Sequence, residues 1–229
     1  MQISEPMTMI TDYLLGVWTL YLAFKLTREG KRLGQRSILI LGASFAATGI
    51  AALIGGTSHG FALYFGDLTK TIIWASTLYA IGFTSLFLLS AVIIATIKNP
   101  LQKWLIAVVA LKFILFAVWI YSHPEFKYVI YDYVPAMVGV LILQAYGKYS
   151  RGDRSAAWII SGILISFGAA AVQQSGFTLH EHFNHNDLYH VIQMGAVYLL
   201  YKGGCLMADQ APKAEMSQMS LNQSHKRSL

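Results

Sequence analysis

Seven long apolar segments occupy most of this chain of 229 residues. Each has about 20 residues or more, which is the length at which an α-helix crosses the hydrocarbon core of a bilayer. In hydrocarbon every backbone N–H and C=O must be satisfied within its own segment, so such runs form helices and not open strands. The sequence therefore predicts an all-α, integral membrane bundle of seven transmembrane helices. The predicted spans are residues 8–27, 37–63, 71–97, 101–122, 127–147, 155–174 and 187–206.

Basic side chains mark one side of this bundle. They lie in the connections that follow the first, third and fifth spans: Arg28, Lys31, Arg32 and Arg36, then Lys98 and Lys103, then Lys148, Arg151 and Arg154. By the positive-inside rule these connections are cytoplasmic, so the N-terminus is outside and the C-terminus is cytoplasmic. The net charge of +6 then reflects orientation and attraction to anionic membrane lipids, and no nucleic acid partner is expected.

The chain divides into a transmembrane domain, residues 1–206, and a polar tail, residues 207–229, which lacks an apolar period. We expect the tail to be disordered and cytoplasmic. The single cysteine, Cys205, excludes an internal disulfide and a thiolate metal site. The small size and short loops are typical of a bacterial inner-membrane protein.

Histidines are concentrated at the other, extracytoplasmic side of the bundle. Six of the seven are placed there: His59, His123, His180, His182, His185 and His190. Only 12% of the chain is charged, so this concentration of titratable, metal-competent side chains indicates a functional rim. The plainer interpretation of His180 and His182 is a solvated surface loop.

Three of these imidazoles could form a zinc site. A catalytic zinc takes three protein ligands and keeps a fourth position for water, whose pKa it lowers. His59, His190 and either His185 or His182 could supply the ligands. Asp67 or Asp187 could orient a ligand or take a proton from the water. A b-type haem held by His59 and His190 is an alternative.

The last span has a recognisable beginning. Asn184 or Asn186 is a candidate N-cap, and Asp187 suits the first turn of a helix, where the dipole favours negative charge. Asn186 and His190 then share one helical face, with Gln193 one turn deeper.

Two charged residues are expected within the membrane, Lys112 on the fourth span and Asp132 on the fifth. Intramembrane charges are costly and are usually paired, and an antiparallel hairpin would bring these two to a similar depth. We expect a structural pair. An opsin-type protein is excluded, because Lys202 lies at the end of its span and residues 71–97 contain no carboxylate counter-ion.

The order of these residues resembles the CREST superfamily of seven-span membrane hydrolases, which includes alkaline ceramidases and adiponectin-receptor-like proteins. That family has a Ser one turn before a His on the second span, an Asp soon after, and a His-x-x-x-His pair on the last span. His59, Asp67 and His190 match this order. Asn186 replaces the first His of the pair, so His185 or His182 would supply that ligand.

The resemblance also places Gly55 at the serine position, which leaves Ser58 or Thr57 as the substitute. It implies zinc-dependent hydrolysis of an amide or ester bond in a lipid substrate. His59, His185 and His190 would bind the metal, Asp67 would act as the base and Ser58 would support the site.

Two classes of function therefore follow from the sequence. The first is a zinc-dependent intramembrane lipid hydrolase. The second is a non-enzymatic membrane protein, a sensor, carrier or transporter, whose histidine rim binds a metal, haem or small ligand.

Overall fold

All seven predicted segments are helical in the computed structural model, which describes residues 3–210. Within that range a single 3-10 turn, Ala62–Tyr64, follows the second helix. The helices are α1 (Pro6–Leu33), α2 (Arg36–Phe61), α3 (Asp67–Thr96), α4 (Leu101–Ser122), α5 (Phe126–Arg151), α6 (Ala156–Ser175) and α7 (His185–Gly204). The prediction of an all-α fold is confirmed.

Six of these helices, α1 to α6, are long and apolar enough to cross a membrane. The helix α7 is less apolar, because Asn186, Asp187, His190 and Gln193 lie in its first half. It nevertheless packs within the bundle, against α1 and α6. Its polar residues are therefore carried into the interior of the protein.

The apolar core fills one half of the bundle, where α1, α3 and α7 end and α2 and α6 begin. Its buried members include Leu22, Leu26, Ile38, Leu41, Val92, Ile159, Ile163 and Leu200. The other half, which contains the beginnings of α1, α3, α5 and α7, is less densely filled. The candidate site lies there.

Glycines allow neighbouring helices to approach closely. A Cβ added at Gly49 on α2 would lie 3.0 Å from the carbonyl oxygen of Gly16 on α1. On α6, a Cβ added at Gly162 would lie 3.0 Å from the carbonyl oxygen of Ala196 on α7. These contacts fix α1 against α2 and α6 against α7, and so position the side chains that those helices carry.

The helix α4 lies at the edge of the bundle, where the expected pair of Lys112 and Asp132 joins it to α5. Lys112 Nζ lies 2.7 Å from Asp132 Oδ1 and donates to the Asp132 carbonyl oxygen at 2.9 Å. Ser85 on α3 donates to the other carboxylate oxygen. The pairing predicted from the sequence is confirmed.

The first residues after α7 pack against the bundle, in a segment that we expected to belong to the tail. Met207 is buried. The carboxylate of Asp209 accepts hydrogen bonds from the backbone N–H groups of Arg36 at 2.8 Å and Ser37 at 2.9 Å. It therefore caps the start of α2, whose first N–H groups have no partner within the helix. Residues 211–229, with His225, lie outside the described residues.

Candidate functional site

A cavity of about 530 Å³ lies between α1, α2, α3, α5, α6 and α7. Its walls are largely apolar, with Leu15, Ile81, Val129 and Phe167 among the lining residues. Polar and titratable side chains also line it: Asp12, His59, Gln173, Asn186, Tyr189, His190 and Gln193. A mostly apolar cavity with a few polar groups is typical of a small-molecule site.

The side chains of Asp12 on α1 and His190 on α7 form the central polar contact of the cavity. His190 Nε2 lies 3.1 Å from Asp12 Oδ1, and both residues are buried. On the other side of the ring, Thr11 Oγ1 lies 2.9 Å from His190 Nδ1. A neutral imidazole that donates from Nε2 to Asp12 and accepts at Nδ1 from Thr11 satisfies all three groups.

The second oxygen of Asp12 is open towards α2. No hydrogen-bond partner of Oδ2 occurs among residues 3–210. A Cβ added at Gly55 would still be 3.8 Å from this atom, whereas one added at Gly56 would lie 2.9 Å from Asp12 Cβ. Small residues on α2 thus make room for the carboxylate and keep one of its faces accessible from the cavity.

The start of α7 fixes the position of His190. Asn184 is the N-cap, and its side chain accepts from the backbone N–H groups of Asn186 at 2.8 Å and Asp187 at 3.4 Å. Asp187 in turn accepts from the Asn184 N–H at 2.7 Å, which completes a capping box. The N-cap prediction is thereby resolved in favour of Asn184.

Asn186 connects α7 to α6, because Gln173 Nε2 donates to its Oδ1 at 3.1 Å. Asn186 and His190 both line the cavity, as their predicted four-residue spacing on one helical face requires. The polar side chains of the last helix are therefore directed inwards at two successive turns.

His59 reaches the same cavity from the end of α2. Its Nδ1 lies 3.2 Å from Glu5 Oε2, at the beginning of the described chain. The Ser4 N–H also donates to the Gly60 carbonyl oxygen at 3.1 Å. The N-terminal segment thus lies against the end of α2 and holds the histidine in place.

The structure brings together only part of the site that the sequence predicted. His59 and His190 line one cavity, but His185, Ser58 and Asp67 are not among its lining residues. Asp67 is exposed at the start of α3. His185 begins α7, and its Nδ1 is buried without a partner among the described residues.

His182, the alternative third ligand, is exposed in the loop between α6 and α7. Its Nε2 lies 3.4 Å from Glu181 Oε1. The backbone of this loop closes through a bridge between His180 and Phe183. For His182 the structure agrees with the plainer interpretation, a solvated loop.

Two of the three predicted zinc ligands, His59 and His190, line this cavity without the third, His185. Among residues 3–210, no three His, Cys, Asp or Glu side chains are grouped as a metal ion would need. His190 has its Nδ1 against Thr11 and its Nε2 against Asp12, so both ring nitrogens have polar partners within the protein. Zinc therefore stays a prediction from the sequence.

Asp12 and Thr11, the two polar partners of the His190 ring, were not identified from the sequence. Asp12 lies inside the predicted segment 8–27. A carboxylate within a spanning segment usually faces the interior and has a partner. That signal could have identified Asp12, but only packing shows that its partner is His190.

Fold and cavity together define an α-helical protein of the integral-membrane class with a ligand-sized internal cavity. The chain belongs to a family of unknown function, DUF6962, whose model matches residues 7–209. This match includes all seven helices and the Asp209 cap. Neither the curated proteins nor the solved structures include a significant match to this chain.

Proposed function

We propose that this protein binds a small amphipathic molecule, such as a lipid, in the cavity between its helices. The observation that carries the proposal is the cavity itself, whose volume of about 530 Å³ falls in the range of small-molecule sites. Its apolar walls would hold a hydrocarbon part. The Asp12 carboxylate, with one oxygen free, would receive a hydrogen-bond donor of the ligand.

Burial of a polar pair within the bundle supports a binding role. Asp12 and His190 are 6% exposed, and ionisable groups within a membrane are costly and are often found at sites of binding or transport. A purely structural pair has no need of a cavity, and Lys112 and Asp132 do not line this one. Asp12 and His190 instead line an open volume.

The test is to identify molecules that copurify with the protein. The protein would be isolated in mild detergent, extracted with organic solvent and analysed by mass spectrometry. Ala170→Phe places a ring in the cavity, because Ala170 lines it. Ala157→Phe is the matched control, since Ala157 is exposed on the same helix, α6.

We expect a small molecule to be enriched with the wild type and with Ala157→Phe, and to be lost with Ala170→Phe. The same molecules in equal amounts in all three samples would represent bulk lipid and would contradict the proposal. Size-exclusion chromatography of the detergent-solubilised protein, followed by its intrinsic fluorescence, would check that Ala170→Phe is folded. A folded variant should elute at the same volume as the wild type.

A zinc-dependent lipid hydrolase is the second candidate. It is favoured by the position of His59 and His190, which line one cavity from α2 and α7. Elemental analysis and absorbance spectra of the wild type, His59→Ala and His190→Ala would decide. About one zinc per chain, lost in both variants, would support this candidate, and a haem spectrum lost in both would support the haem alternative.

We also propose that α7 is a seventh membrane span and that the cavity's polar end faces away from the cytoplasm, as in a bacterial inner membrane. Lys31, Arg36 and Lys148 lie at the opposite end of the bundle, as the positive-inside rule requires. His182→Cys in a Cys205→Ser background tests this. An impermeant maleimide should label the exposed position 182 in intact spheroplasts, and protection there would contradict the orientation.

A further inference from the structure

The cavity contains two polar side chains that are buried and have no hydrogen-bond partner among the described residues. Gln193 on α7 is 8% exposed and lines the cavity, and it makes no hydrogen bond within residues 3–210. Ser166 on α6 is 7% exposed and also lines the cavity, and its Oγ is unpaired in the same range. Buried polar groups are nearly always paired, so the unpaired Ser166 Oγ requires an explanation, and the Gln193 side chain on the neighbouring helix lines the same cavity.

These two side chains lie at the same level of the bundle. The helices α6 and α7 run antiparallel, and the Gln173–Asn186 hydrogen bond fixes their register. Gln193 lies seven residues after Asn186 on α7, and Ser166 lies seven residues before Gln173 on α6. Both are therefore about 10 Å from that hydrogen bond, at 1.5 Å per residue.

The same register persists deeper in the bundle. A Cβ at Gly162 on α6 would meet the carbonyl oxygen of Ala196 on α7 at 3.0 Å. One at Gly203 would meet the carbonyl oxygen of Ser155 at 3.1 Å. Gln193 and Ser166 thus lie between two points at which the helix pair is in contact, which keeps both groups at the cavity wall.

From this arrangement we infer that Gln193 and Ser166 form a second polar subsite, which recognises a neutral hydroxyl or carbonyl group of the ligand inside the bundle. The inference rests on the proposed function. A carboxamide and a hydroxyl each donate and accept hydrogen bonds, so a neutral oxygen is their complement. Neither side chain can neutralise a charge, and an uncompensated charge in this interior would be costly.

The subsite lies one helical turn deeper than His190. Three residues separate His190 from Gln193, which corresponds to about 5 Å along the helix axis. A ligand held there would have a polar oxygen below the Asp12–His190 pair and its apolar part against the walls. The subsite therefore selects for ligands whose neutral oxygen enters the bundle.

Unpaired polar groups also predict how the protein responds to substitution without ligand. Replacing a buried unpaired group by an apolar one of similar shape removes a desolvation penalty. Gln193→Leu and Ser166→Ala should therefore be at least as thermally stable as the wild type while binding less well. Binding sites often show such an exchange of stability for function.

The experiment uses quenching of Trp74, which lines the cavity. The full chain in lipid nanodiscs would be titrated with ω-bromodecanol, whose bromine quenches a nearby indole. Trp74→Phe identifies the part of the signal that comes from Trp74, and Trp18, Trp104, Trp119 and Trp158 do not line the cavity. A parallel titration with ω-bromodecanoate presents a charged head on the same chain.

We expect saturable quenching of Trp74 by ω-bromodecanol and weaker binding of ω-bromodecanoate. Gln193→Leu and Ser166→Ala should each weaken binding of the alcohol about fivefold to tenfold, the effect of one lost hydrogen bond. Their thermal unfolding should be unchanged or shifted upwards. Binding of the alcohol as in the wild type, equal binding of the two probes by the wild type, or a clear loss of stability in Gln193→Leu would overturn the inference.

Ala170→Phe separates this inference from the proposed function. If it abolishes Trp74 quenching while Gln193→Leu leaves quenching intact, the cavity binds ligands but the subsite does not recognise them. If the wild type shows no saturable Trp74 quenching by either probe, both proposals fail. The matched control, Ala157→Phe, should behave as the wild type.

Discussion

Removal of Lys112 should be among the most destabilising single changes outside the cavity. Asp132 is buried, with its side chain 4% exposed. Lys112 Nζ contacts Asp132 Oδ1 at 2.7 Å, the Asp132 carbonyl oxygen at 2.9 Å and Ser85 Oγ at 3.1 Å. Lys112→Met keeps the length of the side chain and removes its charge, so Asp132 would keep only its hydrogen bond from Ser85.

The magnitude follows from the burial of the carboxylate. Breaking a buried ion pair by removing one partner costs about 3–5 kcal/mol, because the other charge is left uncompensated. We expect about 3 kcal/mol for Lys112→Met, since Ser85 still donates to Asp132 and the carboxyl group can take up a proton. For a chain of this size that corresponds to a decrease in Tm of about 6–12 °C.

A second variant separates the loss of the pair from the loss of packing. Replacing both partners by apolar residues is often close to neutral, so Lys112→Met combined with Asp132→Leu should recover most of the stability. The coupling between the two positions should then be about 2 kcal/mol or more. Thermal unfolding in detergent, followed by intrinsic fluorescence, provides the measurement for each variant.

Lys127→Met is the matched control. Lys127 contacts Glu125 Oε2 at 2.6 Å, but the two side chains are 50% and 55% exposed. An exposed pair contributes about 0–1 kcal/mol, so this variant should unfold nearly as the wild type does. Equal Tm values for Lys112→Met and Lys127→Met, or additive effects in the double variant, would refute the reasoning.

Three further changes test how the helices are held. Asp209→Ala removes both side-chain acceptors at the start of α2, and Asn184→Ala removes the cap of α7; each should lower stability by about 1 kcal/mol in thermal unfolding. Gly49→Ala places a methyl group 3.0 Å from the Gly16 carbonyl oxygen and should cost about 1–3 kcal/mol. Gly168→Ala is the control: a Cβ added at Gly168 has no atom from outside its own helix within 4 Å, so this variant should not lower Tm.

The helices and their order could be predicted because each one depends on local sequence. Runs of apolar residues of membrane-spanning length leave the backbone no alternative to the helix. Asn184 and Asp187 are adjacent in sequence to the helix that they cap, so the beginning of α7 was recognisable as well. The pair of Lys112 and Asp132 was predictable because a short hairpin joins their helices.

The candidate site was only partly predictable, because its contacts join residues far apart in the chain. His190 was identified, but its partners Thr11 and Asp12 lie at the other end of the sequence. The cap provided by Asp209 was missed for the same reason. Its carboxylate oxygens accept hydrogen bonds from backbone N–H groups at the start of α2, which is far from Asp209 in the sequence. No periodicity within one segment reports such contacts.

The sequence by itself determined that this protein is an all-α bundle, because the satisfaction of backbone hydrogen bonds in an apolar medium is settled within each segment. Only the tertiary structure decided which polar side chains share a cavity. Close approach at Gly162 sets the register of α6 against α7 and so brings Gln193 level with Ser166, whereas the packing of α1 against α7 places Asp12 against His190. Register between helices arises from packing of side chains on different segments, so it is a property of the assembled bundle.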